Sequence, residues 1–375
     1  MSAALYINSR GKSVTYHSYS ASQDFHTCAR KYYLKKVMGW REKVYGAGAE
    51  HGKAVELGVR TLHLTGQIHL ALKAFHDEWA KSKEKKLRYS KTEKTWENLD
   101  AVGDDLIRLY HVIYPTLPYI VENPKKDMQL ETTFEVFPGS RLAGIKFTSY
   151  IDYLGKMKDT GETIIIDQKV AGNELPELEL IELDPQLRSY VWALSQAGVK
   201  KGCSLVALLW LRKMSRDIDR GDTVTMLNPW NGLGIGVEVT VLDKDPNGSL
   251  WVTRDAQIVD GVKARAGKKK ADEVIRRKYI EDYSLNVPAN LVTKQRIEFG
   301  WARVTPESAS DIGQSIKQDI VHIVAATENN FFPMQSGIRF PHDVCSMCEM
   351  RGICINKPEL RDALVERKDG DDFED

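Results

Sequence analysis

Apolar and polar positions mark out a strand–turn–strand–loop–helix unit across residues 148–194. Residues 149–154 form a short β-rich run, and Lys158-Asp159-Thr160-Gly161 carries turn residues. Residues 163–170 hold Ile164-Ile165-Ile166, the apolar run of a buried strand. Asp184-Pro185 opens a helix, with Asp as N-cap and Pro at the first helical position. Upstream, residues 16–36 predict a helix carrying Phe25, Cys28, Tyr32 and Tyr33, capped by Ser20 or Ser22. A second helix begins at Gly48-x-x-His51, with Ala54, Val55 and Leu57 on its apolar face. Residues 65–111 are helical and strongly charged; Pro115 and Pro124 break the pattern, and residues 130–137 alternate like a strand. Further strands are expected at 202–211, where Cys203 is a core thiol, and at 223–227, 236–242 and 295–304. Thr305-Pro306 starts a last helix with Ile312, Ile316, Ile320 and Ile323 on its buried side. The expected fold class is α/β, a mixed central sheet flanked by helices.

The unit around residue 160 also carries chemistry. Asp152 and Asp167 lie 15 positions apart, so a hairpin brings both to one end of a sheet. Lys169 follows Asp167 by two residues and points to the same face. Gln186 and Tyr190 share one face of the following helix. Two carboxylates and a lysine suit metal-assisted phosphodiester hydrolysis. A hard divalent ion takes oxygen ligands, usually one or two carboxylates plus substrate phosphate, and the ammonium offsets charge building on the phosphate. Taken one at a time, the same residues also read as surface acids and a snorkelling lysine.

Composition narrows the partners. Lys and Arg number 53 and Asp and Glu 52, so net charge gives no support for nucleic-acid binding and any such surface must be local. No apolar run approaches a membrane span. The N-terminus lacks the apolar core of a signal peptide, so a cytoplasmic protein is expected. No Gly-x-x-x-x-Gly-Lys-Ser/Thr loop is present, which excludes this type of ATP-driven motor. Five cysteines in such a chain argue against a disulfide framework. Cys345-x2-Cys348-x5-Cys354 is a metal spacing that still needs a fourth ligand; Cys28 and Cys203 remain.

The ordered set Asp152, Asp167-Gln168-Lys169 and Gln186-x-x-x-Tyr190 resembles the RecB-like branch of the PD-(D/E)XK nucleases, with Ile-Asp in place of Pro-Asp at the first motif. A Ser-x-Ser followed by Cys28-x-x-x-Tyr32-Tyr33, together with the C-terminal trio, resembles those members that carry a 4Fe–4S cluster, such as AddB-type subunits and CRISPR-associated RecB-like exonucleases. The resemblance covers about residues 18–195 and 298–356. It implies a single restriction-endonuclease-like domain spanning 1–375, with Asp152, Asp167 and His51 as ligands of Mg²⁺ or Mn²⁺ and Lys169 as the catalytic lysine. It places Gln186 and Tyr190 in positioning roles. Cys28, Cys345, Cys348 and Cys354 would hold the cluster, joining the two ends of the chain across 317 positions (345 − 28). Zn²⁺ is the competing occupant of a Cys₄ site. Glu131 matches a position where the family often has an acid, and a strand-edge glutamate reads equally well there.

What the resemblance implies is metal-dependent cleavage of DNA, exonucleolytic on single strands or ends, in recombination, repair or CRISPR-type processing, with a recombinase, helicase or integrase as possible partner. Two alternatives are a non-catalytic DNA-end-binding subunit and a zinc-stabilised interaction protein. Residues 212–292 read as an insertion. Within them, the basic run 262–278, including Lys268, Lys269 and Lys270, is either a phosphate contact or a solvated helix. Trp230 and Trp251 are either core or base-stacking residues. The acidic tail, about 367–375, is expected to be disordered.

Overall fold

The run Ile164-Ile165-Ile166 is buried on both faces, so the strand that holds it lies in the interior of a sheet. That central strand is Thr163–Ala171. In the computed structural model, which describes residues 4–8, 11–89, 95–122, 130–172, 175–199, 203–213, 217–265, 270–294, 296–334, 345 and 348–367, it is the third of five strands. Their order is Ile297–Arg303, Leu205–Arg212, Thr163–Ala171, Tyr153–Met157, Tyr119–Val121. The central strand is parallel to Leu205–Arg212; the other pairings are antiparallel. A parallel pair needs a crossover, which helices Leu178–Leu183 and Pro185–Gln196 supply.

Period-two alternation sends neighbouring isoleucines into different cores. Ile165 packs with Val206, Leu208, Leu187, Ile316 and Ile320, under helices Pro185–Gln196 and Pro306–Glu328. Ile164 and Ile166 pack with Ala207, Leu209, Val55, Phe75 and Leu106, under helices Ala47–Thr65, Ile68–Lys81 and Trp96–Ile113. Each such side chain contributes about 1.5–3 kcal/mol when fully buried. The C-terminal helix approaches the crossover helix through Gly313, where a Cβ would collide with the Trp192 indole.

The expected strand 149–154 is two strands. Lys146–Ile151 belongs to a three-stranded sheet between Tyr16–His17 and Leu130–Glu135, and Tyr153–Met157 to the main sheet. Asp152 occupies the bend between them. There its Oδ2 accepts a bond of 2.9 Å from the Gln168 backbone N–H, tying the bend to the central strand.

Between Leu205–Arg212 and Ile297–Arg303 the chain forms a second, antiparallel five-stranded sheet. Its order is Leu285–Val287, Leu250–Thr253, Glu238–Lys244, Thr223–Met226, Val292–Lys294. It has its own core of Val224, Met226, Val239, Val241, Leu250 and Val252. The basic run lies on helices Ala256–Arg265 and Lys270–Tyr283. Its arginines turn inward: Arg276 and Arg277 reach Asp243 at 3.4 and 3.3 Å, and Arg265 covers the Tyr279 ring. Lys268 and Lys269, and the side chain of Lys270, lie outside the described residues. Both tryptophans are held, Trp230 by a bond to the Asn286 carbonyl and Trp251 by one to Asp245.

The first helix, Tyr19–Thr27, is capped by Ser18 rather than Ser20 or Ser22 and stops at Cys28, whose backbone is extended. Val365–Arg367 returns to pair with Trp40–Glu42. Residues 368–375 of the acidic tail lie outside the described residues. None of the described helices is long and apolar enough to cross a membrane.

Candidate active site

The side chains of Asp167 and Lys169 leave the central strand on the face toward the crossover helix. Asp167 is 2 % exposed, and the Lys169 ammonium lies 2.8 Å from its Oδ2. The helix is started there by Asp184, which accepts the Leu187 N–H at 2.9 Å, with Pro185 in its first turn. One turn presents Gln186 and Tyr190 side by side. Lys169 donates to Gln186 Oε1 at 3.1 Å, Gln186 Nε2 donates to the Tyr190 hydroxyl at 2.6 Å, and that hydroxyl donates to Asp167 Oδ1 at 3.4 Å. The four side chains form a closed ring that fixes the ammonium and one carboxylate against each other.

Gln168 points to the opposite face, where it accepts from the Tyr153 hydroxyl at 3.1 Å. Its backbone N–H holds Asp152 beside Asp167. Burial pushes the Asp152 carboxyl well above the ordinary range, and the charges of Asp167 and Glu56 add to the shift. Burial also raises Asp167, against the pull of Lys169. Burial pulls Lys169 down, but Asp167, Asp152 and Asp184 outweigh it and the net shift is upward.

Glu56 was not among the residues expected here. It lies on Ala47–Thr65, one turn after Gly52, which stands over Val170 of the central strand. It pairs with Arg60 one turn on, and its carboxyl is raised by burial and by the charge of Asp167. The sequence signal was that Gly-x-x-x-Glu spacing, a small residue and an acid on one helix face. His51 stands about 140° further round the same helix. It is fully buried, edge-on to Phe75 and Trp79, with Gly103 beside its Nε2. The charges of Glu56, Asp152 and Asp167 act on one another, while His51 packs against Phe75 and Trp79. Glu131 is also elsewhere: exposed, opposite Tyr150 in the ladder, it accepts from the Thr133 hydroxyl.

Among the described residues, Lys169 and Arg60 are the cations whose charges act on Glu56, and Lys169 also acts on Asp152 and Asp167. Burial, with neighbouring negative charge added, raises the three carboxyls, and a hard divalent cation would favour their charged forms. Among the described residues no three His, Cys, Asp or Glu side chains converge closely enough to enclose a metal by themselves.

The four expected cysteines occupy one neighbourhood. Burial raises the thiols of Cys348 and Cys354; Cys354 also feels Cys348, Cys28 and Cys345, and Cys348 also feels Cys28. Cys28 projects from the break after the first helix, while Cys348 and Cys354 pack around Leu34, Met350 and Val365. Lys31 reaches Glu349 at 3.2 Å across the same junction. Cys203 is apart, its thiol against the Thr163 carbonyl.

Residues 16–355 match the family described as the PD-(D/E)XK nuclease superfamily. No curated protein matches the chain.

Proposed function

The chain belongs to the PD-(D/E)XK nuclease superfamily, and we propose that it is a metal-dependent DNA exonuclease acting on single strands or DNA ends. The observation that carries this reading is the convergence of Asp152, Asp167 and Lys169, the last two locked in a ring with Gln186 and Tyr190. Asp152, Asp167 and Glu56 hold the ion, Glu56 taking the place that the resemblance gives to His51. A bound Mg²⁺ or Mn²⁺ would lower the pKa of a coordinated water and polarise the phosphate. Lys169, 38 % exposed, offers its ammonium to the attacking water or to charge developing on the phosphate. Tyr190 and Gln186 hold it there and keep Asp167 from turning away.

Cys28, Cys345, Cys348 and Cys354 are assigned to a 4Fe–4S cluster, supported by the gathering of four thiols from the two ends of the chain; Zn²⁺ is the other occupant such a set admits. A group bound there would tie the first helix to the C-terminal segment.

The test is cleavage of end-labelled single- and double-stranded DNA by anaerobically purified protein. Cleavage should require Mn²⁺, vanish in EDTA and vanish in Asp167→Asn. Lys169→Ala should slow it by ~10²–10³-fold, the scale of losing one preorganised donor. Cleavage undiminished in Asp167→Asn would remove the assignment.

A further inference from the structure

Gln168 lies between Asp167 and Lys169 but turns its side chain to the other face of the sheet, where it is buried. Two bonds fix it, and both go to one dipeptide. Its backbone N–H donates to Asp152 Oδ2 at 2.9 Å, and its Oε1 accepts from the buried Tyr153 hydroxyl at 3.1 Å. The register explains the pair of contacts. Tyr153 stands opposite Ile166, so Gln168 is its diagonal neighbour on the same face. One step before Tyr153 the ladder ends, because Lys146–Ile151 belongs to the three-stranded sheet. The Gln168 N–H thus meets no strand carbonyl at the bend and takes the Asp152 carboxylate in its place.

We propose that the Tyr153–Gln168 bond is a clamp that sets Asp152 in place for metal binding, with Tyr153 and Gln168 as positioning residues. The inference rests on the nuclease reading above and adds to it two side chains that touch neither ion nor substrate. At the bend, Asp152 has no ladder pair of its own and is held by its one bond to the Gln168 N–H. The hydroxyl bond closes a ring around that contact. It runs from the Asp152 carboxylate through the Gln168 backbone and side chain to Tyr153, and back along the chain to Asp152. A ring closed at two points resists the rotation that a single bond permits. The same hydroxyl bond anchors the residue between Asp167 and Lys169, so one contact on the far face steadies three side chains on the near one. A buried tyrosine needs some partner for its hydroxyl. Here that partner sits between two residues of the site, and the donor sits beside a third. Hydrogen-bonded support of this kind is what orients the ligands of a metal.

The experiment titrates Mn²⁺ calorimetrically into the full chain, Tyr153→Phe, Gln168→Met and the double variant, with melting curves on the same samples. Each single variant should bind Mn²⁺ about 10- to 100-fold more weakly, the usual loss when the support of a metal ligand is removed. The double variant should bind no more weakly than the weaker single, because both substitutions break one bond. At subsaturating Mn²⁺, kcat should fall while the KM for single-stranded DNA holds, a split that a loss of stability alone does not produce. The double variant also guards against a single that does not fold, since replacing both partners by apolar groups leaves no buried polar atom newly unpaired. Folded variants that bind Mn²⁺ as tightly as wild type would overturn the clamp, whatever their melting temperatures. If the wild-type chain cleaves DNA in that case, the nuclease reading stands and only the clamp falls. A wild-type chain that binds Mn²⁺ without cleaving DNA overturns the nuclease reading and leaves the clamp to be decided by the affinities; one that binds no Mn²⁺ overturns both.

Discussion

Asp152 shows how one residue does two jobs. Its carboxylate fastens a bend by accepting the Gln168 N–H, and it feels the charges of Asp167 and Glu56. All three carboxyls are raised, burial being the first cause in each. The folded chain therefore binds more protons than the unfolded one. The stability they contribute is present below about pH 4, the ordinary carboxylate value, and is lost as pH rises through the raised folded values. His17 and His63, lowered by burial to about 3 and about 4, act in the opposite sense. Comparing variant with parent cancels them. Metal-free Asp152→Asn should melt higher than wild type at pH 8, with the gap shrinking toward pH 5. Parallel melting curves across that range would mean that Asp152 is not under charge stress. Asp152, Asp167, Lys169, Gln186 and Tyr190 were legible in the sequence because short local periods relate them: two residues on a strand, four on a helix.

At the scale of elements, legibility depended on whether a choice was local. The central strand and the start of the crossover helix at Asp184-Pro185 follow from nearby residues alone. The face that Ala47–Thr65 turns to the sheet does not, because it is decided by Phe75 and Trp79 enclosing His51 and by Gly52 meeting Val170. The bend at Asp152 was hidden for a similar reason, since no local residue announces that the strand changes sheets. The inserted sheet emerges where Arg212 pairs beside Ala171, two positions beyond Lys169, so it stands at the catalytic edge of the main sheet. Small contacts set how elements close. Gly313→Ala forces the Trp192 indole to move and should cost about 1–3 kcal/mol, as overpacking does. Chemical denaturation checks this, and an unchanged midpoint would show that the two helices can separate freely.

Over the whole molecule, the two ends of the chain meet in several ways at once. Val365–Arg367 pairs with Trp40–Glu42, Lys31 reaches Glu349, and the Cys354 thiol feels Cys28 from the other end. The Cys345-x2-Cys348-x5-Cys354 spacing asks for a fourth thiol without saying which one. The strand pair and the ion pair were not legible, being contacts between segments with no motif of their own. Cluster binding counts toward folding stability. Cys348→Ala should therefore lose the visible absorbance of an iron–sulfur protein and melt at a lower temperature, while the strand and ion pairs preserve its far-ultraviolet circular dichroism. Retention of the full chromophore would dismiss the four-cysteine assignment.

On the proposed reading, Asp152 from the bend, Asp167 from the central strand and Glu56 from a helix share a single divalent-metal site. Calorimetric titration of Mn²⁺ into wild type, Glu56→Gln and His51→Gln tests it most directly. One strong site in wild type and in His51→Gln, weakened tenfold or more in Glu56→Gln, is the result expected. Undiminished binding by Glu56→Gln together with its loss in His51→Gln would contradict the account and return the third ligand to the histidine.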